Sequence, residues 1–318
     1  MTNKERYKEL CENQPSIPIF SQPWWLDTVA GADNWDVVLV IEKDKIQASM
    51  PFVKTTKFGL MMLNMPKLTQ TLGPWVTPNT LNEYKRLSLE KKLFVELISQ
   101  LPDFAQFQQN WHHLRTNWLP FYWHGFEQST NYTYILGDLS DPDLLFKNIA
   151  SNVKGDIKKA KNRFNLQVQD DGDLEAFIAL NKMVFARQGK ALPYTENFVR
   201  RLDKVCAERD CRRIFIAKDE QGRNHAGVYI VWDANSAYYI MGGGDPEMRN
   251  SGATSLCMWS AIQFAAQVTE KFDFEGSMLE PVERFFRAFG AEQTPYFSVK
   301  KLKSKRLLVN QLLSKLKA

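Results

Sequence analysis

The stretch spanning residues 238–267 constrains the fold more than any other part of the chain. A β-rich run at 236–241 leads into three consecutive glycines, and after a polar loop a helix with apolar residues begins near Ser255. Glycine lets the backbone approach a ligand closely, and a helix N-terminus leaves several N–H groups unpaired. The order predicts a strand, a glycine loop and a helix whose N-terminus binds an anion such as a pyrophosphate. The alternative is an ordinary strand-to-helix turn with a Ser or Thr cap.

The chain repeats one order of elements. Residues 35–52 and 213–232 each consist of two β-rich runs around a short polar turn, the pattern of a β-hairpin. A β-like segment and a helical segment follow each of them, the helices at 84–101 and 255–269. The repeat predicts a duplicated domain.

The second half alternates helices and strands, which predicts a mixed α/β sheet packed on both faces. A turn-rich stretch at 138–143 precedes it, so we expect two domains, residues 1–140 and 141–318. The predicted helices span 143–163, 173–187, 195–208, 255–269 and 280–289, and the predicted strands span 166–169, 213–218, 225–232, 236–241, 272–275 and 296–301.

Charge is placed unevenly along a chain whose net charge is only +5. Residues 147–163 carry six basic residues and one acid, and residues 300–317 carry seven basic residues and no acid. Such clusters favour phosphates of a cofactor, RNA or a lipid surface, although solvated helix faces are the alternative.

Four cysteines without metal-ligand spacing predict reduced thiols and no metal site. The first residues do not resemble a signal peptide and no apolar run is long enough to span a membrane. We therefore expect a cytoplasmic protein without an integral membrane segment.

The segment 249–254 resembles the coenzyme-A loop of GNAT acyltransferases, whose form is Arg/Gln-x-x-Gly-x-Gly/Ala. Its first and fourth positions match, and Thr254 replaces the last small residue. The order of segments from Leu144 to Lys303 is similar to the Fem-like and CelD-type branch of that superfamily. The matching pieces are the basic segment 152–163, the segments 185–190, 272–277, 289–291 and 296–300, and the glycine loop.

The resemblance implies two tandem GNAT-like domains, the first degenerate and the second an N-acyltransferase. It implies acyl transfer from a thioester, acyl-coenzyme A or a carrier protein, to the amine of a small molecule such as an amino sugar or a cell-envelope precursor. Aminoacyl-tRNA is the alternative donor, with the basic clusters on the tRNA. A catalytically inactive binding or scaffold protein is the alternative of another class. The sequence predicts neither the acyl length nor the oligomeric state.

The expected donor site comprises the glycines and the loop before the helix: Gly242, Gly243, Gly244, Arg249, Asn250, Ser251, Gly252, Ala253 and Thr254. In a GNAT sheet the strand before this loop splays from the next one, here 272–275. Strand alternation places Asp273 and Glu275 on one face, where a carboxylate could accept a proton from an attacking amine. Glu275 is the preferred base, because it lies closer to the end of the strand. A helix cap or a pairing with arginine is the alternative for each acid.

Further candidates surround this opening. Tyr296 could protonate a leaving thiolate, and the neighbours Tyr238 and Tyr239 should point to opposite faces of their strand. The side chains expected to contact substrates are Tyr238, Tyr239, Arg187, Lys190, Lys154 and Lys158. A core aromatic with a hydrogen-bonded hydroxyl is the alternative for each of the three tyrosines. A solvent-facing helix end is the alternative for Arg187 and Lys190. No Ser, Cys or His constellation supports a covalent intermediate, so direct transfer is expected.

Overall fold

The computed structural model describes residues 1–276, 278–304 and 306–308, and the chain within it forms two compact units. Unit 1 consists of residues 1–131 with the C-terminal part from Pro295, and unit 2 consists of residues 132–294. Ser277, the end of one predicted segment, and most of the basic C-terminal cluster lie outside the described residues. The predicted division at residue 140 stays a prediction.

Unit 1 carries an antiparallel hairpin and a mixed sheet. Its elements are α1 (Asn3–Asn13), α2 (Pro23–Val29), β1 (Trp35–Glu42), β2 (Lys45–Lys57), β3 (Leu60–Leu63), β4 (Trp75–Val76), α3 (Glu83–Ser99), β5 (Gln106–Asn110) and α4 (Leu119–Trp123). The strand β6 (Glu127–Leu136) leads out of the unit, and β12 (Glu292–Leu302) returns to it and pairs with β5. The strand order is β1-β2-β3-β5-β12, with β4 beside β2.

Helix α3 shows how the sequence sets these elements. The Asn82 side chain accepts a hydrogen bond from the Lys85 amide and caps the helix, and Leu93, Phe94 and Leu97 recur at helical spacing. Those three side chains are buried against Phe107, Trp111 and Val299 in one apolar core.

Unit 2 contains the segment to which the sequence drew attention. Its elements are α5 (Pro142–Asn148), α6 (Ser151–Asn162), β7 (Gln167–Asp170), α7 (Leu174–Arg187), α8 (Glu196–Ala207), β8 (Arg212–Lys218), β9 (Asn224–Trp232), β10 (Ala237–Gly244), α9 (Ala253–Ala265), β11 (Phe272–Asp273) and α10 (Glu280–Arg287). The strand order is β6-β11-β10-β9-β8-β7, antiparallel except for β10 and β11. Helix α9 packs on one face of β9 and α7 contacts β9 and β10, so β9 is buried almost throughout.

The predicted α/β class and both predicted hairpins, β1–β2 and β8–β9, are confirmed. The single helix predicted at 143–163 is wrong, because α5 and α6 are separated by two extended residues. Ile149 is buried in the core there, and the Ala150 amide donates to the Ala288 carbonyl at 2.8 Å. No helix in the described part is both long and apolar enough to cross a membrane.

Candidate functional site

The strands β10 and β11 run side by side for only two residues and then separate. Ala237 pairs with Phe272 and Tyr238 pairs with Asp273, after which β11 ends while β10 continues along β9 to Gly244. The β9–β10 register shifts between Tyr239 and Met241, so β10 contains a bulge at this point. A bulge leaves backbone groups out of the ladder. The sheet therefore opens next to a bulged strand.

The three glycines belong to β10, and the predicted glycine loop is wrong for them. Gly242, Gly243 and Gly244 pair with β9 as far as Ala226. A Cβ on Gly243 would stand 2.7 Å from the Asn181 amide nitrogen of α7, so only glycine lets this helix lie directly on the strand. The Asn181 side-chain amide also donates to the Gly242 carbonyl at 2.6 Å. The close packing of α7 on β10 accounts for the glycines without a bound ligand.

The loop after β10 ends in a tight approach to the start of α9. Residues Arg249–Ser251 form one 3₁₀ turn, and Gly252 follows with a φ of +81° as the N-cap of α9. A Cβ on Gly252 would stand 2.8 Å from the carbonyl carbon of Asp156 in α6. The first N–H groups of a helix have no intrahelical acceptors. The predicted helix N-terminus is thus present, and α6 holds it in place.

A cavity of about 340 Å³ lies at this end of the strand. The lining residues from the predicted set are Arg187, Tyr239, Gly242, Gly243, Gly244, Arg249, Ser251, Ala253 and Thr254. Residues outside that set complete the lining: Val184, His225, Asp245, Met248, Pro281, Val282, Phe285 and Phe286. Two guanidinium groups and a helix N-terminus therefore meet an apolar wall contributed by α10. This combination suits an elongated ligand with an anionic end and an apolar arm.

His225 is the lining residue that sequence reasoning missed. The residue is 2% exposed, and its Nε2 lies 3.1 Å from Oδ2 of Asp219. Burial raises the pKa of Asp219, but hydrogen bonds from the Arg223 amide, His225 and the Arg223 side chain outweigh it and hold this pKa well below its usual range. The ionised carboxylate fixes the proton on Nε2. Nδ1 is buried and has no hydrogen-bond partner within the described residues.

Asp273 is a buried carboxylate at the end of β11. It accepts hydrogen bonds from the Thr133 hydroxyl and, at 2.8 Å, from the Glu275 amide. Burial raises the pKa of Asp273 to about 6 in spite of these bonds, which lower it. A carboxyl group with this pKa is mostly ionised at neutral pH and can still accept a proton.

Glu275 lies beside Asp273 for a different reason than the one predicted. The strand ends at Asp273, two residues earlier than predicted, and Glu275 has a φ of +59°, so strand alternation does not set its direction. Burial, followed by the charges of Asp273 and Asp233, raises the pKa of the half-buried Glu275 well above its usual value. The Tyr238 hydroxyl donates to Oδ2 of Asp233 at 3.3 Å. Three carboxyl groups and a buried tyrosine therefore interact electrostatically where the strands separate.

The two neighbouring tyrosines lie in different surroundings. Tyr238 is 1% exposed and faces the acids, whereas Tyr239 lines the cavity with its ring against Phe286. Nine predicted site residues do not line the cavity: Asp273, Glu275, Tyr296, Tyr238, Asn250, Gly252, Lys154, Lys158 and Lys190. The Lys154 ammonium donates to the Lys147 carbonyl, and Lys158 and Lys190 are exposed. Tyr296 is half-buried in the part of β12 that belongs to unit 1.

No group of three or more His, Cys, Asp or Glu side chains among the described residues is arranged to hold a metal ion. Arg187, Arg249 and the N-terminus of α9 are available to a phosphate-bearing ligand.

The family model of the acetyltransferase (GNAT) domain matches residues 147–287. The chain also shares its fold with FemX, at a TM-score of 0.65 and 12% identity over 99% of this chain and 98% of that one. The C-terminal domain of a putative lysylphosphatidylglycerol synthetase from Agrobacterium fabrum gives a TM-score of 0.56 and 11% identity, covering 98% and 94%. A tandem GNAT protein from the clavulanic acid biosynthesis pathway gives 0.52 and 12%, covering 94% of each chain. No curated protein matches in sequence.

Proposed function

Since the chain carries a GNAT acetyltransferase domain within a Fem-like tandem GNAT fold, as predicted, we propose that it is an N-acyltransferase with a thioester donor. The acyl group would pass from acyl-coenzyme A or an acyl carrier protein directly to an amine. The observation that carries the proposal is the cavity at the N-terminus of α9, because it combines fixed backbone N–H groups with Arg187 and Arg249.

The cavity has a basic end and an apolar wall, and this supports a donor with phosphates and an apolar arm. The phosphates would lie against the first turn of α9, beside Arg249. The apolar arm would contact Phe285 and Phe286 of α10 on its way to the bulge of β10. Backbone N–H groups freed at the bulge would stabilise negative charge on the thioester oxygen during transfer.

The carboxyl cluster supplies the proton chemistry in this proposal. Asp273, with a pKa of about 6, would take the proton from the attacking amine. Burial, followed by the charges of Asp273 and Asp233, raises the pKa of Glu275 well above its usual value, which favours Glu275 as a proton donor toward the leaving thiolate. Tyr296 remains a second candidate for that donor. Tyr238 would hold the acids through Asp233, and Tyr239 would line the path of the donor.

The acceptor is proposed to be an amino sugar or another cell-envelope precursor in the cytoplasm. Aminoacyl-tRNA is a second candidate donor, because Lys158 and Lys161 are exposed on α6 and the tail adds further basic residues. Transfer RNA binding would depend steeply on salt, whereas binding of a single coenzyme would depend on it weakly. Calorimetry at two salt concentrations separates the two donors.

The direct test is calorimetric titration of the protein with acetyl-coenzyme A and longer acyl-coenzymes A. One substitution sharpens it, because Arg249→Gln keeps a polar side chain and removes the guanidinium near the start of α9. We expect Arg249→Gln to weaken coenzyme-A binding about tenfold, the cost of one hydrogen bond to a charged group.

A pantetheine thioester without phosphates is the matched control ligand, and its weaker binding should be the same in Arg249→Gln and in the wild type. No binding of any acyl-coenzyme A at millimolar concentration would rule out the thioester donor and favour the tRNA or the inactive binding-protein hypothesis. Unchanged coenzyme-A affinity in Arg249→Gln would remove only the role of Arg249.

A further inference from the structure

Six large apolar side chains of unit 1 are exposed to solvent on α3, on α4 and just before α4. They are Tyr84 (80% exposed), Leu87 (39%), Leu114 (66%), Leu119 (48%), Tyr122 (57%) and Trp123 (55%), and we call them the aromatic surface. Single exposed apolar residues are normal on a protein, but a contiguous group of them marks a site of interaction.

Helices α3 and α4, which carry five residues of the aromatic surface, contact each other. The Lys91 ammonium lies 5.0 Å from the centre of the Trp123 ring, which links the two helices at the surface. Tyr84, Leu87 and Lys91 follow at spacings of three and four residues and therefore share one face of α3. On the inner side, the rings of Phe94 and Phe121 are 6.1 Å apart in the core. The two helices that carry the exposed residues are therefore packed against each other through buried rings.

Polar contacts fix the segment that carries Leu114. The Asn117 side chain donates to Oε2 of the buried Glu90 at 2.9 Å, and Arg86 donates to its Oε1 at 2.8 Å. The Leu114 amide bonds Nδ1 of His112 at 3.3 Å. These hydrogen bonds hold the backbone around Leu114. The exposure of Leu114 is therefore a feature of an ordered segment.

The charge around the aromatic surface is weakly basic. No Asp or Glu occurs in the sequence between Asp103 and Glu127. On α3, Arg86 forms ion pairs with the buried Glu90 and with the exposed Glu83, while Lys85 and Lys91 are exposed. Exposed Trp and Tyr beside Lys, with Leu between them, is the composition that binds the boundary between lipid headgroups and acyl chains.

We propose that the aromatic surface docks this protein peripherally onto a bilayer that contains anionic lipids. Trp123 and Tyr122 would lie at headgroup depth with their polar atoms toward water, and Leu114 and Leu119 would reach the acyl boundary. Lys85 and Lys91 would pair with lipid phosphates. The proposal concerns where the protein works and goes beyond the acyl transfer itself.

Co-sedimentation of the full chain with vesicles tests it. One set of vesicles contains phosphatidylcholine alone, and the other contains roughly one third phosphatidylglycerol, enough to give a negative surface potential. We expect binding to the anionic vesicles that falls about tenfold or more in the double variant Tyr122→Ser, Trp123→Ser, which removes two half-exposed aromatic rings. Lys91→Glu should weaken binding to the anionic vesicles and leave any binding to neutral ones unchanged.

The matched control compares Leu119→Ser with Leu144→Ser. Both leucines are in the first turn of a short helix and about half exposed, at 48% and 51%, but Leu144 lies on α5 in the other unit. Only Leu119→Ser should weaken vesicle binding, while circular dichroism shows both variants folded.

Three results would overturn the proposal. One is a wild-type protein that does not sediment with anionic vesicles, and another is equal binding to neutral vesicles. The third is a dimer in sedimentation velocity that the Tyr122, Trp123 variant dissociates, because the aromatic surface would then bind a second copy of the chain.

Discussion

The buried Asp273 links the candidate catalytic site to the stability of the protein. Its pKa is about 6 in the folded chain and near 3.8 when unfolded, so the native state holds a proton that the unfolded chain has released between these values. The contribution of this group to stability is therefore greatest below pH 3.8 and is lost as pH rises through 6. At neutral pH the burial of the charged carboxylate therefore lowers the free energy of unfolding.

Asp273→Asn should remove that cost while keeping an oxygen for the Thr133 hydroxyl and the Glu275 amide. We expect the free energy of unfolding of the variant, relative to wild type, to rise by about 2 kcal/mol between pH 4 and pH 7. Urea unfolding at several pH values measures it. If Asp273 is also the base, the acidic limb of the activity profile near pH 6 should disappear with the substitution.

Glu275→Gln is the control, because Glu275 shares the electrostatic surroundings of Asp273 and has its own raised pKa. The double variant reports how far the two carboxyl groups are coupled. A stability difference between Asp273→Asn and wild type that does not change with pH would show that Asp273 has an ordinary pKa.

Residue-level chemistry at this site could be predicted only in part. Asp273 was predicted because it and Glu275 alternate with apolar neighbours, which indicated that both acids share one face of the strand. His225 was not, because a single histidine in a β-rich run carries no signal of its own. His225 is a candidate because its Nε2 hydrogen-bonds Asp219 and because the residue lines the cavity. Both depend on tertiary packing.

At the scale of elements, the contact between α6 and the start of α9 decides where the candidate donor site forms. Gly252 combines a φ of +81° with an approach to the Asp156 backbone that leaves no room for a Cβ. Gly252→Ala should therefore lower the free energy of unfolding by about 2–4 kcal/mol and displace the first turn of α9. Thermal unfolding and the coenzyme-A titration measure the two effects.

Gly155 provides the control, because it is adjacent to Asp156 in α6. A Cβ on Gly155 would meet nothing within 4 Å, so Gly155→Ala should stabilise the protein by about 0.5–1 kcal/mol through helix propensity. If both substitutions had the same effect, the contact between Gly252 and Asp156 would not hold the loop.

The glycines also show a limit of prediction at this scale. The sequence marks a strand that ends in Gly242, Gly243 and Gly244, but glycine serves equally for a loop, a ligand or a closely packed helix. Here α7 approaches Gly243, and the strand continues through all three. Which partner approaches a glycine is set by an element more than 50 residues away, so local sequence cannot decide it.

At the scale of the whole molecule, the repeated hairpins were enough to predict a tandem α/β fold, because alternation with a period of two is read within a few residues. The return of the C-terminal strand was not predicted. Residues 298–302 of β12 pair with β5, and Val299 is fully buried in the core of unit 1. A pairing across almost 200 residues leaves no local trace in the sequence.

The division of the chain can be tested with fragments. Fragment 1–140 lacks β12, so the edge of β5 is unpaired and the position of Val299 in the core is empty. We expect this fragment to aggregate or to give a poorly dispersed amide spectrum. Joining residue 131 to residue 295 through a flexible Gly/Ser linker restores β12 and should give a folded unit 1.

Fragment 132–294 should fold without unit 1, because every member of the large core around α9 lies inside the fragment, from Tyr134 to Ala291. Cooperative thermal unfolding and dispersed amide resonances are the readouts. A well-folded 1–140 would show that β12 is dispensable to the first unit and would favour the boundary at residue 140. A folded 132–294 that also binds acetyl-coenzyme A would place the whole donor site in that unit.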